Sequence, residues 1–452
     1  MLRKDQNEFV SRVGPGTAMG ELIRRFWIPA VTIQDVQQSD GAPVRLRIMG
    51  EDLVAFRDTE GRVGVIRAYC SHRLAPLFFG RNEECGLRCP YHGWKFNVAG
   101  ECIETPNLEA GAKTSRNALN ITAYPTHEAG GLVWIYMGPA DKKPLFPALE
   151  CADLPDDQLY VTSWLQRSNW LQGLEGEVDS SHISWLHRDF DRENSPTRGT
   201  GNELADDGAP VMSLRETPYG FTYGARRMLK GDYFWRMTQW VAPIFTMIPW
   251  GPGERKTDFH AWVPIDDNHV TIFAIRYSVG RSFTDNEINL YESGALFPPR
   301  MMKGGYQLPD GYVIDTYIPE ATKENDYQID RAMQLTRNYS GIWGLHDQDR
   351  SLQETSKPVD GANPGLIDRS LEHLVASDLP IVTVRRRLIK LAEALRIGND
   401  PAALGTDSVH PLRAFSKICK IDGFDSFLDM YGAEAGYTPP VSPGSSAHGM
   451  IA

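Results

Sequence analysis

Two short motifs, each pairing a cysteine with a histidine, are the clearest chemical feature of the 452-residue sequence. Cys70 and His72 form the first pair, and Cys89 and His92 form the second, with residues 73–88 between them. Two thiolates and two imidazoles can hold a diiron–disulfur cluster, with both cysteines on one iron and both histidines on the other. The same ligands also satisfy tetrahedral zinc, although zinc motifs usually pair cysteine with cysteine and histidine with histidine. The motifs therefore predict a metal site between two loops, with zinc as the alternative.

A second group of candidate ligands follows the spacing D-x2-H-x4-H at Asp179, His182 and His187. Two imidazoles and one carboxylate with open positions are the ligand set of non-haem Fe(II) oxygenases. On an ideal helix His187 would lie about 140° around the axis from His182, so both can reach one metal only if the helix is broken or bulged. We expect Asp179 to accept the N–H of His182, so the carboxylate ligand must come from elsewhere. Without a metal, both histidines would be ordinary structural residues.

Strand-like and helical patterns indicate which elements position these residues. Short alternating runs separated by turn clusters span residues 44–139 and predict a small all-β domain. Aromatic strand-like runs around a helical segment at residues 170–188 predict an α+β domain. Residues 285–330 are assigned to loops and short helices. Apolar residues at three- and four-residue steps predict a helix that starts near Asp378 and stops at Gly398.

Composition and charge exclude several classes of function. With 47 basic and 58 acidic residues the formal net charge is −11, which disfavours binding to nucleic acid. No apolar stretch approaches the roughly 20 residues that a membrane span needs. The N-terminus lacks the apolar segment of a secretory signal, and the six cysteines suit reduced thiols or metal ligation, so we expect a cytoplasmic protein.

The wider sequence around both ligand groups resembles one enzyme family. Residues 70–102, CSHRLAPLFFGRNEECGLRCPYHGWKFNVAGEC, resemble the Rieske domain of aromatic ring-hydroxylating oxygenases. Residues 169–187, NWLQGLEGEVDSSHISWLH, resemble the catalytic domain of the same α-subunits, closest to the phthalate-dioxygenase-like group. One departure is Ser71, where the family usually has proline, and we expect it to change loop stiffness and to tune the cluster rather than abolish it.

The resemblance implies an α+β fold that joins a Rieske all-β domain to a helix-grip catalytic domain, an antiparallel sheet with a C-terminal helix. We expect an N-terminal arm packed on the catalytic domain over residues 1–43, the Rieske domain over 44–145, the catalytic domain over 146–435 and a flexible tail over 436–452. Each chain is then expected to hold one 2Fe-2S Rieske cluster and one mononuclear Fe(II).

The resemblance also supplies the third iron ligand and the route of the electrons. The family's acidic ligand precedes a Gln-Glu pair, which makes Asp349 the expected ligand and Asp347 the reserve. Chains are expected to assemble head to tail as a homotrimer, or as a hexamer of stacked trimers. The route then runs from His92 of one chain through Asp179 to His182 of its neighbour. The sequence contains no flavin, plant-type ferredoxin or nicotinamide motif, so a separate reductase is expected to deliver electrons from NAD(P)H.

Residues 218–250 are rich in aromatic and apolar side chains, which is consistent with a pocket for an aromatic ring. Arg226, Arg227 and Arg236 lie in this segment and could bind a substrate carboxylate. The expected activity is hydroxylation of an aromatic carboxylic acid in aromatic catabolism. The alternatives are a Rieske monooxygenase or O-demethylase of methoxyaromatics, a Rieske electron carrier without catalysis, and a zinc-stapled aromatic-binding module.

Overall fold

A computed structural model describes residues 2–108, 116–190, 204, 207–359, 363–401 and 412–437. The described residues form an α+β structure of antiparallel sheets and helices, which confirms the predicted fold class. Nearly all of the tail predicted over residues 436–452 lies outside the described residues. Within the described part of the chain, no helix is long and apolar enough to span a bilayer.

Three small antiparallel sheets occupy the first third of the chain, in the orders β1-β11-β10, β2-β3-β4-β9 and β5-β6-β7-β8. Their strands are β1 (Trp27–Thr32), β2 (Val44–Ile48), β3 (Glu51–Arg57), β4 (Val63–Arg67), β5 (Arg81–Glu83), β6 (Gly86–Arg88), β7 (Lys95–Phe96), β8 (Cys102–Glu104), β9 (Ala123–Tyr124), β10 (Thr126–Ala129) and β11 (Leu132–Tyr136).

A larger antiparallel sheet has the order β12-β18-β17-β16-β15-β14-β13, with β23 paired to β15. Two hairpins, β19-β20 and β21-β22, lie outside it. These strands are β12 (Leu159–Gln166), β13 (Val211–Thr217), β14 (Gly220–Leu229), β15 (Asp232–Val241), β16 (Phe245–Pro249), β17 (Lys256–Pro264), β18 (Val270–Ser278), β19 (Met301–Gln307), β20 (Val313–Pro319), β21 (Pro358–Val359), β22 (Asn363–Ile367) and β23 (Phe415–Cys419).

The helices flank the large sheet or connect its strands. They are α1 (Lys4–Ser11), α2 (Ala18–Ile23), α3 (Trp170–Glu177), α4 (Ile183–Leu186), α5 (Asp285–Glu292), α6 (Arg331–Thr336), α7 (Leu345–Gln353), α8 (Leu379–Arg396) and α9 (Phe424–Tyr431). Helix α8 confirms the helix predicted between Asp378 and Gly398, and Gly398 follows it with a φ of +87°. The N-terminal segment contacts both halves of the chain, because α1 and α2 pack on α8 while β1 pairs with β11.

The assignment of residues 285–330 to loops and short helices was wrong in one part. Helix α5 is present, but residues 301–319 form the hairpin β19-β20. Gly304 and Gly305 lie inside the first strand, and glycine weakens the strand pattern that sequence reasoning depends on. Tertiary contacts stabilise the hairpin instead: β20 packs on β2 and β12, and Asp315 pairs with Arg45 at 2.6 Å.

Strand β3 separates the two main hydrophobic cores, because alternate side chains of a strand point to opposite faces. Leu53 and Ala55 belong to the large core that extends along the larger antiparallel sheet. Val54 and Phe56 belong to a smaller core that also contains Cys70 and Cys89. The thiol loops are therefore built on a core of their own, joined to the rest of the chain through a shared sheet.

Helix α3 lies unusually close to the large sheet, where it contacts β16 and β17. A Cβ atom at Gly173 would lie 1.9 Å from the ring of Trp262 in β17, so only glycine permits this approach. The Asn169 side chain caps the helix by accepting the N–H of Leu171 at 3.2 Å. The C-terminal end of α3 is thereby fixed over the sheet, immediately before the histidine segment.

A buried charge network joins α3 to α8 and to the N-terminal helix. Glu175 accepts from Arg369 at 2.9 Å and from Arg385 at 2.6 Å, and Arg369 also donates to Asn7. Burial opposes ionisation of Glu175, but the two arginines outweigh it and hold its pKa below the ordinary value. Glu175 is therefore a carboxylate that compensates two buried cations.

We predict that Glu175→Gln lowers the free energy of unfolding by about 3–5 kcal/mol, because it leaves buried arginines without their counter-charge. The matched control is Glu434→Gln, which breaks an ion pair with Lys417 whose side chains are 52% and 34% exposed. That control should cost less than about 1 kcal/mol. Thermal or urea unfolding measures both, and equal losses would contradict the structural role of Glu175.

Candidate metal sites and substrate cavity

The first ligand group comes together between two loops of similar design. The Leu74 N–H donates to the Cys70 carbonyl at 3.0 Å, and the Gly93 N–H donates to the Cys89 carbonyl at 3.0 Å. Leu74 and Gly93 both have positive φ, at +56° and +76°. Each cysteine therefore starts a tight turn, and each turn carries the histidine of its motif.

Thiols and imidazoles are separated by depth. Cys70 and Cys89 are 1% and 2% exposed, whereas His72 and His92 are half-buried, with ring centroids 4.5 Å apart. The His72 ring stacks on Trp94 at 4.5 Å, and Trp94 is fixed by a hydrogen bond. The site places sulfur inward and the imidazole edges toward solvent, as an electron relay with an outer contact surface requires.

Several features of this site fit a metal cluster. The Nδ1 atom of His72 is buried and has no partner among the described residues, as expected of a nitrogen reserved for a metal. Burial and the neighbouring Cys89 raise the pKa of the Cys70 thiol to about 11, so a bound metal would have to displace its proton. The buried Nδ1 of His72 is the feature that favours metal ligation over an ordinary structural role, whereas the raised thiol pKa means that ligation must release a proton.

The spacing of the four donors distinguishes a cluster from a single zinc ion. The donor atoms of one tetrahedral zinc site lie about 3.3–3.8 Å apart, given metal–ligand bonds of about 2.0–2.3 Å. Within the described ranges, no three-residue group drawn from these four brings all its donor atoms within 4.8 Å. In this arrangement the four side chains are not gathered around one tetrahedral ion.

Ser71 stabilises the first loop without contacting a thiol. Its hydroxyl donates to the Leu119 carbonyl at 2.5 Å and joins the loop to the segment that follows the Rieske-like motifs. Because a serine hydroxyl has a single proton, this hydrogen bond leaves Ser71 no proton to donate to a thiolate. The expected change in loop stiffness is consistent with this bond.

The second ligand group lies where a helix breaks, as the spacing requires. Helix α3 ends at Glu177, and the one-turn helix α4 begins at Ile183, so His182 and His187 flank α4. Asp179 lies in the connecting turn rather than on a helical face with His182, and it accepts the N–H of Ser181 at 2.7 Å. The break brings the two imidazole centroids to 5.1 Å.

Asp349 in α7 completes the group. Its Oδ1 lies 3.2 Å from His187 Nε2 and 3.5 Å from His182 Nε2, and the donor atoms of all three residues lie within 4.8 Å. Burial opposes ionisation of Asp349, but the two histidines outweigh it and hold its pKa below the ordinary value. Two imidazoles and a carboxylate are the donor set that suits non-haem iron.

The reserve candidate, Asp347, is used elsewhere. It pairs with Arg350 at 2.8 Å, and burial raises its pKa to about 6. Residues 347 and 349 are two positions apart on a helix and therefore point in different directions, so only Asp349 reaches the histidines.

An ion-pair contact to Asp179 and a hydrogen bond to Gln348 orient the two imidazoles. The His182 Nδ1 lies 3.5 Å from Asp179 Oδ2, and the His187 Nδ1 lies 2.7 Å from Gln348 Oε1. Gln348 donates its amide N–H to the Ile342 carbonyl at 3.0 Å, which turns its oxygen toward His187. Both Nδ1 atoms are therefore donors, and both Nε2 atoms are left to face Asp349.

A cavity of about 120 Å³ opens at this group. An engineered protein cavity of about 150 Å³ admits one benzene molecule, so the volume is of the order of a single ring. The wall combines the three candidate ligands with apolar side chains, such as Ile248, Leu296 and Phe297, and with further charged side chains: Glu177, Asp179, Arg236, Asp258 and Arg276.

Only one of the three predicted carboxylate-binding arginines lines the cavity. Arg236 does so, opposite Ala225 in the β14–β15 register, and its guanidinium donates to the Pro249 carbonyl at 3.4 Å. No carboxylate within the described ranges pairs with it. Burial lowers its pKa below the ordinary value. Among the described residues, Arg236 therefore has no carboxylate at ion-pair distance, although Glu177 and Asp258 of the same wall interact with it at longer range.

The prediction that Arg226 and Arg227 bind substrate was wrong in placement. Arg226 faces away and stacks over Tyr233 at 4.7 Å, because neighbouring strand residues point to opposite faces. Arg227 is buried, donates to the Ser180 hydroxyl at 3.1 Å and holds the turn before His182. Neither lines the cavity.

Three other site residues escaped sequence reasoning. Arg276 lines the cavity but pairs with Asp258 at 2.5 and 2.9 Å, and Gln348 and His346 lie in α7 beside Asp349. Sequence reasoning could have found Gln348 from one signal, its position directly before the expected ligand Asp349. Their roles depend on partners from distant parts of the chain, which spacing in the sequence does not reveal.

Family models match two parts of the chain. Residues 26–125 match the Rieske [2Fe-2S] domain. Residues 135–424 match the family described as LigXa C-terminal domain like. The thiol loops fall in the first range, and the histidine segment and Asp349 fall in the second.

Among its relatives, the chain is 37% identical to the 3-chlorobenzoate-3,4-dioxygenase oxygenase subunit of Comamonas testosteroni, over 87% of this chain and 89% of that protein. It is 35% identical to the phthalate 4,5-dioxygenase oxygenase subunit of Pseudomonas putida, over 94% and 93% respectively. The solved structure of dicamba monooxygenase bound to dicamba shares the fold, with a TM-score of 0.57 at 17% identity over 83% of this chain and 99% of that one. Because such identity extends along nearly the whole chain, the protein belongs to the Rieske non-haem iron oxygenases and is an oxygenase α-subunit of the phthalate-dioxygenase-like group.

Proposed function

We propose that this chain is the terminal oxygenase component of a multicomponent system that hydroxylates an aromatic carboxylic acid. The observation that carries the proposal is one cavity that combines the His182–His187–Asp349 group with the unpaired cation of Arg236. The first part makes the site an oxygenase centre, and the second gives its substrate a negative charge.

We assign the 2Fe-2S cluster to Cys70, Cys89, His72 and His92, and one Fe(II) to His182, His187 and Asp349. When bound, the cluster supplies electrons and the ferrous ion supplies open positions for dioxygen. The protein's contribution is orientation: Asp179 and Gln348 hold the two imidazoles, while the apolar wall excludes water from the ring of the substrate.

The names of the relatives support an aromatic acid. Chlorobenzoate and phthalate, which name two of them, both carry a carboxylate on a benzene ring. Arg236 would bind that carboxylate with charge-assisted hydrogen bonds. The apolar residues of the wall would contact the ring.

We propose a head-to-tail homotrimer, or stacked trimers, for the assembly. Exposed aromatic residues lie beside each metal site: Tyr91, 55% exposed, contacts His92, while Trp185, 52% exposed, lies two residues before His187. A neighbouring chain would cover both and bring its His92 to Asp179. This would let Asp179 accept hydrogen bonds from two imidazoles across the interface.

The remaining assignments follow from this role. A separate reductase would supply electrons from NAD(P)H, and the protein would act in the cytoplasm, where that donor is available. The arm, Rieske domain and catalytic domain would span residues 1–43, 44–145 and 146–435.

A second candidate function is O-demethylation of methoxyaromatics by monooxygenation. A 5,5'-dehydrodivanillate O-demethylase oxygenase subunit of Sphingobium is 35% identical over 65% of this chain. The same ligand set would serve both reactions. Product analysis with labelled dioxygen separates them, because dihydroxylation leaves both labelled atoms on the ring and demethylation releases formaldehyde.

We predict that Gln348→Leu weakens Fe(II) affinity at the mononuclear site about 10- to 100-fold, because His187 loses the acceptor that orients it. Metal titration of the apo site measures this. The Rieske absorption spectrum should not change, since Gln348 lies in α7. Unchanged iron affinity would contradict the orienting role.

We predict that Asp179→Asn stops turnover while both metals still load, because an amide cannot accept hydrogen bonds from both imidazoles as a carboxylate does. Iron content and the visible spectrum check loading. Single-turnover oxidation of the reduced cluster, in the presence of substrate and dioxygen, measures the step that should fail. Full oxygenation by the variant would exclude this route.

We predict that Arg236→Ala raises KM for aromatic carboxylates about 10- to 100-fold, as expected for the loss of hydrogen bonds to a charged group. The KM for neutral analogues such as the corresponding amides should change little. Arg226→Ala is the matched control, because Arg226 lies outside the cavity lining. Equal effects of the two variants would remove the assignment of Arg236.

A further inference from the structure

His346 contributes a neutral polar group to the cavity wall, and its protonation pattern follows from one neighbour. The indole Nε1 of Trp164 lies 2.8 Å from His346 Nε2. Indole nitrogen is a donor only, so Nε2 must accept. The proton of the neutral imidazole is therefore on Nδ1, and the ring acts as a donor at that atom.

Packing holds the His346 ring in this orientation. Trp164 meets it edge-on with centroids 4.9 Å apart, and Phe297 packs on it at 4.8 Å. His346 is 1% exposed, and Trp164 is fully buried. Turning the ring over would lose the indole hydrogen bond, which is costly at this depth because Trp164 has no other acceptor in the described part of the chain.

The Nδ1–H of His346 has no acceptor among the residues that the structure describes, although the atom is buried. Buried donors without an acceptor are rare because they lose their hydrogen bond to water. The His346 ring lines the same cavity as His182, His187 and Asp349. An acceptor for Nδ1–H can therefore be supplied by whatever occupies the cavity.

Charge decides what kind of acceptor fits. Among the described residues, Arg236 is the cation of the wall without a carboxylate at ion-pair distance, since Arg276 donates to Asp258 through Nε and Nη2. The donor at His346 is neutral. A second anionic group on the ligand would find no second unpaired cation, whereas a neutral oxygen would find a matching donor.

The two donors, Arg236 in β15 and His346 in α7, come from different elements of the structure. Arg236 projects from β15, while His346 contacts Trp164 of β12, and three strands lie between β12 and β15 in the sheet order. A ligand that uses both must therefore place its two polar groups at separate positions on the ring.

We propose that His346 is a specificity-determining residue that donates its Nδ1–H to a neutral oxygen substituent of the substrate. This inference rests on the proposed function, in which Arg236 binds a carboxylate, and it narrows the substrate class. The substrate is an aromatic monocarboxylate that carries a hydroxyl or ether oxygen, rather than an unsubstituted benzoate or a dicarboxylate.

The test is equilibrium binding to the anaerobic holoenzyme, where no turnover occurs. The probes are benzoate, phthalate, and the 2-, 3- and 4-isomers of hydroxybenzoate and methoxybenzoate, with dissociation constants from calorimetry. At least one oxygen-substituted isomer should bind about 3- to 10-fold more tightly than benzoate, the range expected for one neutral hydrogen bond. Phthalate should gain no such advantage.

His346→Phe keeps an aromatic ring but removes the donor, so the dissociation constants of benzoate and of the preferred isomer should become equal within the variant. His346→Asn keeps an N–H donor near the Nδ1 position and should retain part of the preference. The wild-type panel remains decisive even if His346→Phe fails to fold.

Two results would overturn the inference: no oxygen-substituted isomer is preferred by the wild type, or the preference survives in His346→Phe. Failure of the proposed function looks different. In that case benzoate itself does not bind, or its binding does not depend on Arg236. Benzoate binding that depends on Arg236 but not on His346 overturns only the inference made here about the second substituent.

Discussion

One contact to each imidazole determines what the catalytic site can do. Gln348 accepts the Nδ1–H of His187, and the Asp179 carboxylate lies 3.5 Å from Nδ1 of His182, so both Nε2 atoms face the Asp349 carboxylate. This arrangement requires a broken helix, because a continuous one would separate the two rings. The close approach of α3 to β17 at Gly173 fixes where the break occurs. The break in the helix and the orientation of the two imidazoles are therefore both required to bring the three ligands together.

Buried charged side chains are also constrained by their partners. Most buried arginines have carboxylate partners, such as Arg369 and Arg385 at Glu175 and Arg276 at Asp258. Buried ions are tolerated when they are paired. Arg236 differs from these because its counter-charge is not a carboxylate of the described chain, and it lines the cavity. The cavity wall thus presents the Arg236 cation and buried N–H groups of His346, Trp250 and Trp262 that lack an acceptor among the described residues. A ligand that fits must supply acceptors for these groups.

The sequence predicted the elements that local pattern controls. Ligand types and spacing indicated both metal groups and the break between His182 and His187, and the three- and four-residue periodicity predicted α8. The family resemblance, not the spacing, pointed to Asp349. The glycine-interrupted hairpin β19-β20 was missed, because its stability comes from contacts with β2 and β12.

The residues that sequence reasoning misjudged depend on contacts across the chain. Arg226 and Arg227 have the right chemistry for a carboxylate, but strand alternation turns one away, and the other is used to hold the Ser180 turn. Gln348 and His346 gain their roles from a carbonyl and an indole in other segments. Composition cannot show which donor will lack a partner.

The central claim is that His182, His187 and Asp349 hold an iron that is separate from the cluster. Iron per chain in anaerobically purified Asp349→Asn, compared with Asp347→Asn, tests it most directly. Asp349→Asn should lower the count from about three to about two, the number in a 2Fe-2S cluster, with the EPR signal of the reduced cluster unchanged. Asp347→Asn should keep about three, as in the wild type with one cluster and one Fe(II). Equal iron in both variants, or loss of the cluster signal in Asp349→Asn, would contradict the account.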